Sequence, residues 1–124
     1  MRIGVIGLGY WGPNLVRNFL STDGVEMVSA ADMNEQRIKM AAKKFPSVYL
    51  TKEYRELIKS ADIDAIAIAT PVSTHFQLAK EALENGKHVL LEKPITAKAS
   101  EAEELLAIAA RKKLTLVESP ISQP

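Results

Sequence analysis

Residues 5–19, VIGLGYWGPNLVRNF, place three glycines (Gly7, Gly9 and Gly12) within six positions, between a β-branched apolar run and an amphipathic stretch. A backbone stripped of side chains in this way is either turning tightly or being approached closely. The spacing GxGxxG is weak evidence in isolation. Here it follows a strand-like run, RIGVI (2–6), and opens a helical stretch (12–21) in which Leu15, Val16, Phe19 and Leu20 share one face. In that context Gly7 permits the turn, Gly9 lets the backbone approach a pyrophosphate, and Gly12 lets the helix pack closely on the strand. The phosphates then face free N–H groups and a helix terminus carrying about half a positive charge. The simpler alternative is a tight strand-to-helix turn with no ligand.

Asp32 bears on that choice. It lies twenty residues beyond Gly12, at the end of a second apolar run, where a carboxylate accepts hydrogen bonds from the adenosine ribose hydroxyls of a dinucleotide. It could instead cap the helix that starts in NEQR (34–37), a role Asn34 is also placed to fill. As a ribose ligand, Asp32 favours NAD over NADP. A 2′-phosphate about 4 Å away would meet repulsion of roughly 4 kcal/mol per charge at an intermediate dielectric, before screening. Met33 supplies no compensating cation, and Arg37, one helical turn on, is the cation within reach of such a phosphate.

Outward from this stretch the chain alternates β-branched runs with stretches of helical period. VEMVSAAD (25–32) reads as the second strand. A helix capped by Asn34 follows, running through Phe45 and closed by Pro46; VYL (48–50) reads as a short third strand. Thr51 is placed to cap a brief helix carrying Leu57 and Ile58. DAIAIAT (64–70), apolar throughout, reads as a fourth strand buried on both faces. Pro71 stops it, and Ser73 is placed to cap a helix that presents Ala79, Ala82 and Leu83 and ends at Asn85 and Gly86. HVLLE (88–92) is the fifth strand. Ser100 and Glu103 match a capping box ahead of Leu105, Leu106 and Ala109, the basic RKK (111–113) suits the end of that helix, and LTLVES (114–119) is the sixth strand. The alternation implies an α/β fold, a doubly wound parallel six-stranded sheet of the Rossmann type, in the order 3-2-1-4-5-6.

Composition narrows the function classes. The 124 residues suit one domain, 1–124, with 47% hydrophobic and 25% charged residues and a net charge of +1. Sixteen basic and fifteen acidic residues are interspersed without a basic block, which argues against a nucleic-acid partner. There is no cysteine, so disulfides, thiolate metal sites and a cysteine nucleophile are excluded; His75 and His88 lack metal-ligand spacing. No run approaches the roughly 18 apolar residues of a membrane span, and no cleavage-like leader opens the chain, so a cytoplasmic protein with no membrane partner is expected.

A second constellation follows the fourth and fifth strands, whose ends border the ligand crevice of such sheets. It consists of ATPVSTH (69–75) and EKP (92–94). Together with GLGYWG, NGKHVLLEKP and the EAEELL helix, these motifs make residues 1 to about 118 resemble the Gfo/Idh/MocA oxidoreductases, named for glucose-fructose oxidoreductase, inositol dehydrogenase and a rhizopine-catabolism protein. GLGYWGPNLVRNF and ATPVSTH are most similar to the branch acting at C3 of nucleotide-linked sugars such as UDP-N-acetylglucosamine or its uronic acid.

The resemblance implies reversible NAD-linked oxidation of a sugar or cyclic polyol hydroxyl. It implies that Lys93 of the EKP motif sits beside the nicotinamide and the substrate hydroxyl, where a cationic Lys93 orients the hydroxyl and stabilises developing alkoxide charge. Glu92 and Pro94 shape the turn and cofactor contacts, and Thr70, Pro71 and His75 line the cofactor cleft. A surface lysine is the bland alternative for Lys93, and a structural hydrogen-bonding group is that for His75. Tyr10 and Trp11 occupy the variable positions of the glycine loop, where they either cover the cofactor or pack in the core. His88 is assigned only to the edge of its strand.

The family's substrate domain has no counterpart here, nor do the catalytic groups it carries, and the tail ESPISQP lacks the aromatic and arginine-bearing segment that usually follows strand six. A sugar-type substrate is therefore expected only with a second domain or subunit. The chain is then an excised cofactor domain, a truncated product or a stand-alone nucleotide binder or redox sensor. Self-association through the face left open is a further expectation.

Overall fold

The computed structural model describes residues 1–119. Six strands and five helices alternate in the order β1 (Arg2–Ile6), α1 (Gly12–Leu20), β2 (Met27–Ala31), α2 (Glu35–Lys44), β3 (Tyr49–Thr51), α3 (Tyr54–Lys59), β4 (Ala65–Ile68), α4 (His75–Glu84), β5 (His88–Glu92), α5 (Ala99–Lys112) and β6 (Leu116–Ser119). All pairings are parallel, and the sheet order is β3-β2-β1-β4-β5-β6, as the alternation requires. β1 and β4 lie side by side at the centre, with Gly4 paired to Ser29 on one flank and Ile66 on the other. The chain reverses direction across the sheet between them, which opens a crevice at their carboxyl ends.

The helices divide unevenly between the two faces. α3, α4 and α5 cover one face, where Leu57, Ile66, Leu83, Leu91 and Leu105 are almost wholly buried. Each such side chain contributes up to about 1.5–3 kcal/mol through removal from water. α1 and α2 cover the other face over β1, β2 and β3, through Val5, Val16, Val28, Ala41 and Phe45. Over β4, β5 and β6 that second face has no helix among the described residues. β5 shows the consequence: Val89 and Leu91 are buried, whereas His88, Leu90 and Glu92 on the opposite side are only half-buried. Val117 on β6 is 43% exposed, and a shallow apolar groove of about 290 Å³ runs past Ile3, Ala65, Ala67, Leu90 and Val117.

Several local expectations are corrected. β2 starts at Met27 rather than Val25, because the Val25 N–H closes a turn onto the Thr22 carbonyl (3.2 Å). β3 is displaced by one residue, since the Val48 N–H bonds back to Phe45 (3.1 Å). Thr51 belongs to β3; its hydroxyl accepts from the Glu53 N–H (3.1 Å) and donates to Glu56 (2.7 Å), while Glu53 caps α3 through the Arg55 N–H. Ser73 lies inside a single 3-10 turn, Val72–Thr74, and does not cap α4.

The capping box at Ser100 and Glu103 does not form. α5 begins at Ala99, with Lys98 in the capping position and no side-chain cap, so Ser100 is already inside the first turn. The helix ends as its basic tail suggests: Lys113 adopts φ of 59° and the Leu114 N–H returns to the Ala109 carbonyl (2.8 Å), which delays β6 to Leu116. Asn34 does cap α2, its side chain accepting from the Arg37 N–H at 3.1 Å. The part of the tail beyond Ser119 lies outside the described residues. Among those residues no helix is long and apolar enough to cross a membrane, and no cluster of His, Asp or Glu is arranged to hold a metal ion.

Candidate functional site

The crevice at the carboxyl ends of the central strands is a cleft of about 580 Å³. One wall is the loop from β1 to α1. Gly7 opens it with φ of 102°, a conformation side chains rarely adopt; a Cβ there would also lie 2.9 Å from Thr70 Cγ2. Gly12 allows the closest approach, since a Cβ on it would fall 1.8 Å from the Gly7 carbonyl oxygen. The loop is thereby folded back on itself, and α1 starts directly above β1.

The loop leaves donors unused. The Gly7 N–H bonds to the Ala31 carbonyl (2.8 Å) and the Leu8 N–H to Asp32 Oδ2 (2.7 Å), but the N–H groups of Gly9, Tyr10, Trp11 and Gly12 have no partner among the described residues. No side chain caps α1, which has Pro13 in its first turn. Unpaired N–H groups at a helix start form a ready cradle for an anion. Tyr10 is 75% exposed and stands edge-on to the half-buried Trp11, with ring centroids 5.2 Å apart, so core packing does not describe Tyr10.

Asp32 borders the same cleft but is engaged from several sides. Oδ2 accepts from the Leu8 N–H and faces Arg37 Nη1 at 3.5 Å, and Oδ1 accepts from the Asn34 N–H at 2.7 Å. Asp32 therefore ties the glycine loop to the start of α2 while Asn34 performs the capping. A carboxylate offers about four lone-pair directions, so capacity toward the cleft remains. Arg37 folds over the loop: a Cβ on Gly9 would lie 3.2 Å from its Nη1.

The opposite wall is built by the ends of β4 and β5. Thr74 Oγ1 donates to the Pro71 carbonyl (2.6 Å) and stands 2.6 Å from Thr70 Oγ1, which fixes the turn after β4. Thr70, Pro71, Thr74, Gln77 and Glu92 all line the cleft. Burial pushes the Glu92 carboxyl above its usual range, partly countered by the charge of nearby His75.

Of the eleven residues singled out in the sequence, Gly7, Gly9, Tyr10, Trp11, Asp32, Thr70, Pro71 and Glu92 line one cleft. Gly12 lies beneath the loop as its spacer. His75 and Lys93 are not in the lining: His75 is 2% exposed, packed behind the wall, and Lys93 is exposed just beyond Glu92. Lys52, Tyr54, Thr74, Gln77 and Leu78 line the cleft without having been singled out. Lys52 follows the carboxyl end of β3, so the rule that ligands gather at strand ends would have found it; Gln77 and Leu78 carry no such signal.

Fold and crevice define a doubly wound α/β domain with a glycine-loop anion cradle. A family model described as an oxidoreductase family with an NAD-binding Rossmann fold, Gfo/Idh/MocA, matches residues 1–119, and the chain belongs to that family. It is 38% identical over 108 residues to an inositol 2-dehydrogenase of Paenarthrobacter aurescens, covering 86% of this chain and 32% of that protein. It is 33% identical over 121 residues to a UDP-N-acetylglucosamine 3-dehydrogenase of Acidithiobacillus ferrooxidans, covering 94% of this chain and 36% of that protein. Among solved structures, a 3-ketoreductase from Actinomadura kijaniata in complex with NADP and TDP-benzene superposes with a TM-score of 0.88 at 30% identity, over 96% of this chain and 37% of that one. The chain thus spans about a third of the length of each.

Proposed function

We propose that this chain is the cofactor-binding part of an oxidoreductase that exchanges a hydride between a nicotinamide dinucleotide and a hydroxyl of a sugar, nucleotide sugar or cyclic polyol. The observation that carries the reading is the single cleft bounded by the uncapped loop Gly9–Gly12 on one side and by Thr70, Pro71 and Glu92 on the other. The loop N–H groups hold the pyrophosphate, Asp32 receives a ribose hydroxyl, and the Thr70–Pro71 turn and Glu92 border the nicotinamide half. The bound dinucleotide supplies the hydride acceptor or donor. Lys93, immediately beyond Glu92, orients the substrate hydroxyl and stabilises negative charge developing on its oxygen. Since the chain spans about a third of its relatives' length, the substrate is held by a further domain or subunit.

The preferred cofactor is NAD. Asp32 carries the preference, by repulsion of a 2′-phosphate; the adjacent Arg37 partly offsets it, and the structurally similar 3-ketoreductase was solved with NADP. Calorimetric titration of the chain with NAD, NADH and NADP tests the reading: saturable NAD or NADH binding with weaker NADP binding is expected, and a folded sample that binds none of the three refutes it.

A second reading, a binding module without turnover, is favoured by the position of Lys93 outside the cleft lining. Adding a separately expressed substrate domain separates the two. Hydride transfer that disappears in Lys93→Ala supports the oxidoreductase. The bare face over β4, β5 and β6 is also proposed as a self-association surface, and a concentration-independent monomer in sedimentation would refute that.

A further inference from the structure

His75 is the one titratable side chain of the second constellation that the proposed function does not use, and its surroundings are unusual. The ring is 2% exposed. Nδ1 lies 3.1 Å from the Pro94 carbonyl oxygen and 3.1 Å from that of Ile95, and Nε2 lies 3.0 Å from the Thr70 carbonyl oxygen. All three partners are backbone carbonyls, which only accept. A neutral imidazole has one N–H and one bare lone pair. In either neutral tautomer that lone pair would be buried against a carbonyl oxygen at hydrogen-bond distance, leaving an unmade bond at a buried ring. Only a ring protonated at both nitrogens donates in both directions.

We propose that His75 is held as a buried imidazolium and acts as a positioning residue, clamping the segment Lys93–Ile95 to the turn at Thr70. The charge has identifiable partners. Glu92, at the end of β5, is a titratable neighbour of His75. The carbonyls of Thr70, Pro94 and Ile95 accept charge-assisted hydrogen bonds, which are about twice as strong as neutral ones. Against these stand the burial of the ring, which disfavours a charge, and the start of α4, where His75 is the first residue and the helix dipole disfavours a cation. The three carbonyl acceptors are the geometric ground for the charged ring. The clamp joins the two stretches that form the far wall of the cleft, ATPVSTH and EKP, through one ring. Its use in placing Lys93 rests on the proposed hydride transfer; the protonation state and the clamp do not.

The molecule contains its own control. His88 Nδ1 accepts the Thr115 N–H at 3.0 Å, so that nitrogen carries no proton. The two histidines are therefore expected in opposite states in one sample. Long-range proton–nitrogen correlation spectra of the cofactor-free, nitrogen-15-labelled chain at neutral pH read this directly. Two protonated ring nitrogens are expected for His75 and one bare nitrogen for His88; a bare nitrogen on His75 overturns the proposal. The clamp is tested in His75→Gln, whose amide donates from one end only. Backbone order parameters at Lys93, Ile95 and Thr96 should fall from the rigid range, about 0.85, toward 0.6, with residues 7–12 unchanged. Unchanged values at 93–96 in the folded variant overturn the clamp. If His75→Gln does not fold, the ring spectrum of the parent chain still decides. Both measurements are made without cofactor, so loss of the cofactor reading would leave them untouched.

Discussion

The two walls of the cleft are built in different ways. The wall from β1 through α2 is organised by glycines and one carboxylate within a single crossover: Gly7 and Gly12 fold the loop, and Asp32 locks it to α2 through the N–H groups of Leu8 and Asn34. The wall from β4 through β5 is organised by a side chain, His75, which bridges two loops distant in sequence, and it leaves Lys93 exposed. The sheet repeats the contrast, being covered on both faces over β1 and β2 but on one face over β5 and β6. The first wall is braced from within the described residues and offers unpaired N–H groups, whereas the wall proposed to border the chemistry ends in the exposed Lys93.

Substitutions should accordingly act on binding mainly through the first wall. Gly12→Ala is expected to have the largest effect. The new Cβ, 1.8 Å from the Gly7 oxygen, forces α1 away from β1, with a loss of about 3 kcal/mol in urea unfolding and of dinucleotide binding. Stability within about 0.5 kcal/mol of the parent would break the comparison at its strongest point. Asp32→Ala comes next. Removing the acceptor of two N–H groups should cost about 2 kcal/mol of stability and weaken NAD about tenfold, while discrimination against NADP relaxes. Unchanged affinity for both dinucleotides would remove Asp32 from the site.

A smaller effect is expected where the two halves join below the cleft. Arg2 on β1 donates to Asp64, just before β4, from its backbone N–H (2.8 Å) and its guanidinium (3.4 Å), which holds the Asp64 carboxyl below its usual range. A depressed carboxyl pKa contributes stability that is present above the unfolded value, about 3.9, and is lost as pH falls through the folded value. Acid unfolding below about pH 4 should accordingly be shallower in Asp64→Asn than in the parent; parallel curves would show the pair to be energetically silent. The smallest effect belongs to Lys93→Ala, which should change NAD affinity less than about twofold in calorimetry. A larger loss would place Lys93 inside the binding wall and erase the contrast.

Much of this was legible beforehand. The element order, the sheet order and the glycine loop follow from periodicity and spacing, because burial of an apolar face repeats along the chain with the period of the local structure. Capping was read less well. Thr51, Ser73 and Ser100 each have the right chemistry for a cap, but Thr51 is drawn into β3, Ser73 into a 3-10 turn, and Ser100 into a helix that starts one residue earlier. Each outcome turns on which of several nearby N–H groups a short side chain meets. Eight of the eleven residues expected from the glycine loop, the strand ends and the family resemblance border one cleft, whereas the sequence left open whether His75 is a structural group and Lys93 a surface lysine, and the structure buries the one and exposes the other.

The sequence by itself determined that this chain makes a doubly wound sheet, that its first crossover carries a side-chain-free loop, and that an acidic residue follows at the end of β2. These are local properties, set by hydrophobic period, glycine and turn chemistry. Only the tertiary structure decided that Asp32 braces the loop it faces, that Arg37 lies across Gly9, and that His75 meets three carbonyl oxygens from two separate loops. Those outcomes depend on partners five to twenty-eight residues away, and a hydrogen bond is specified by where both of its ends arrive in space.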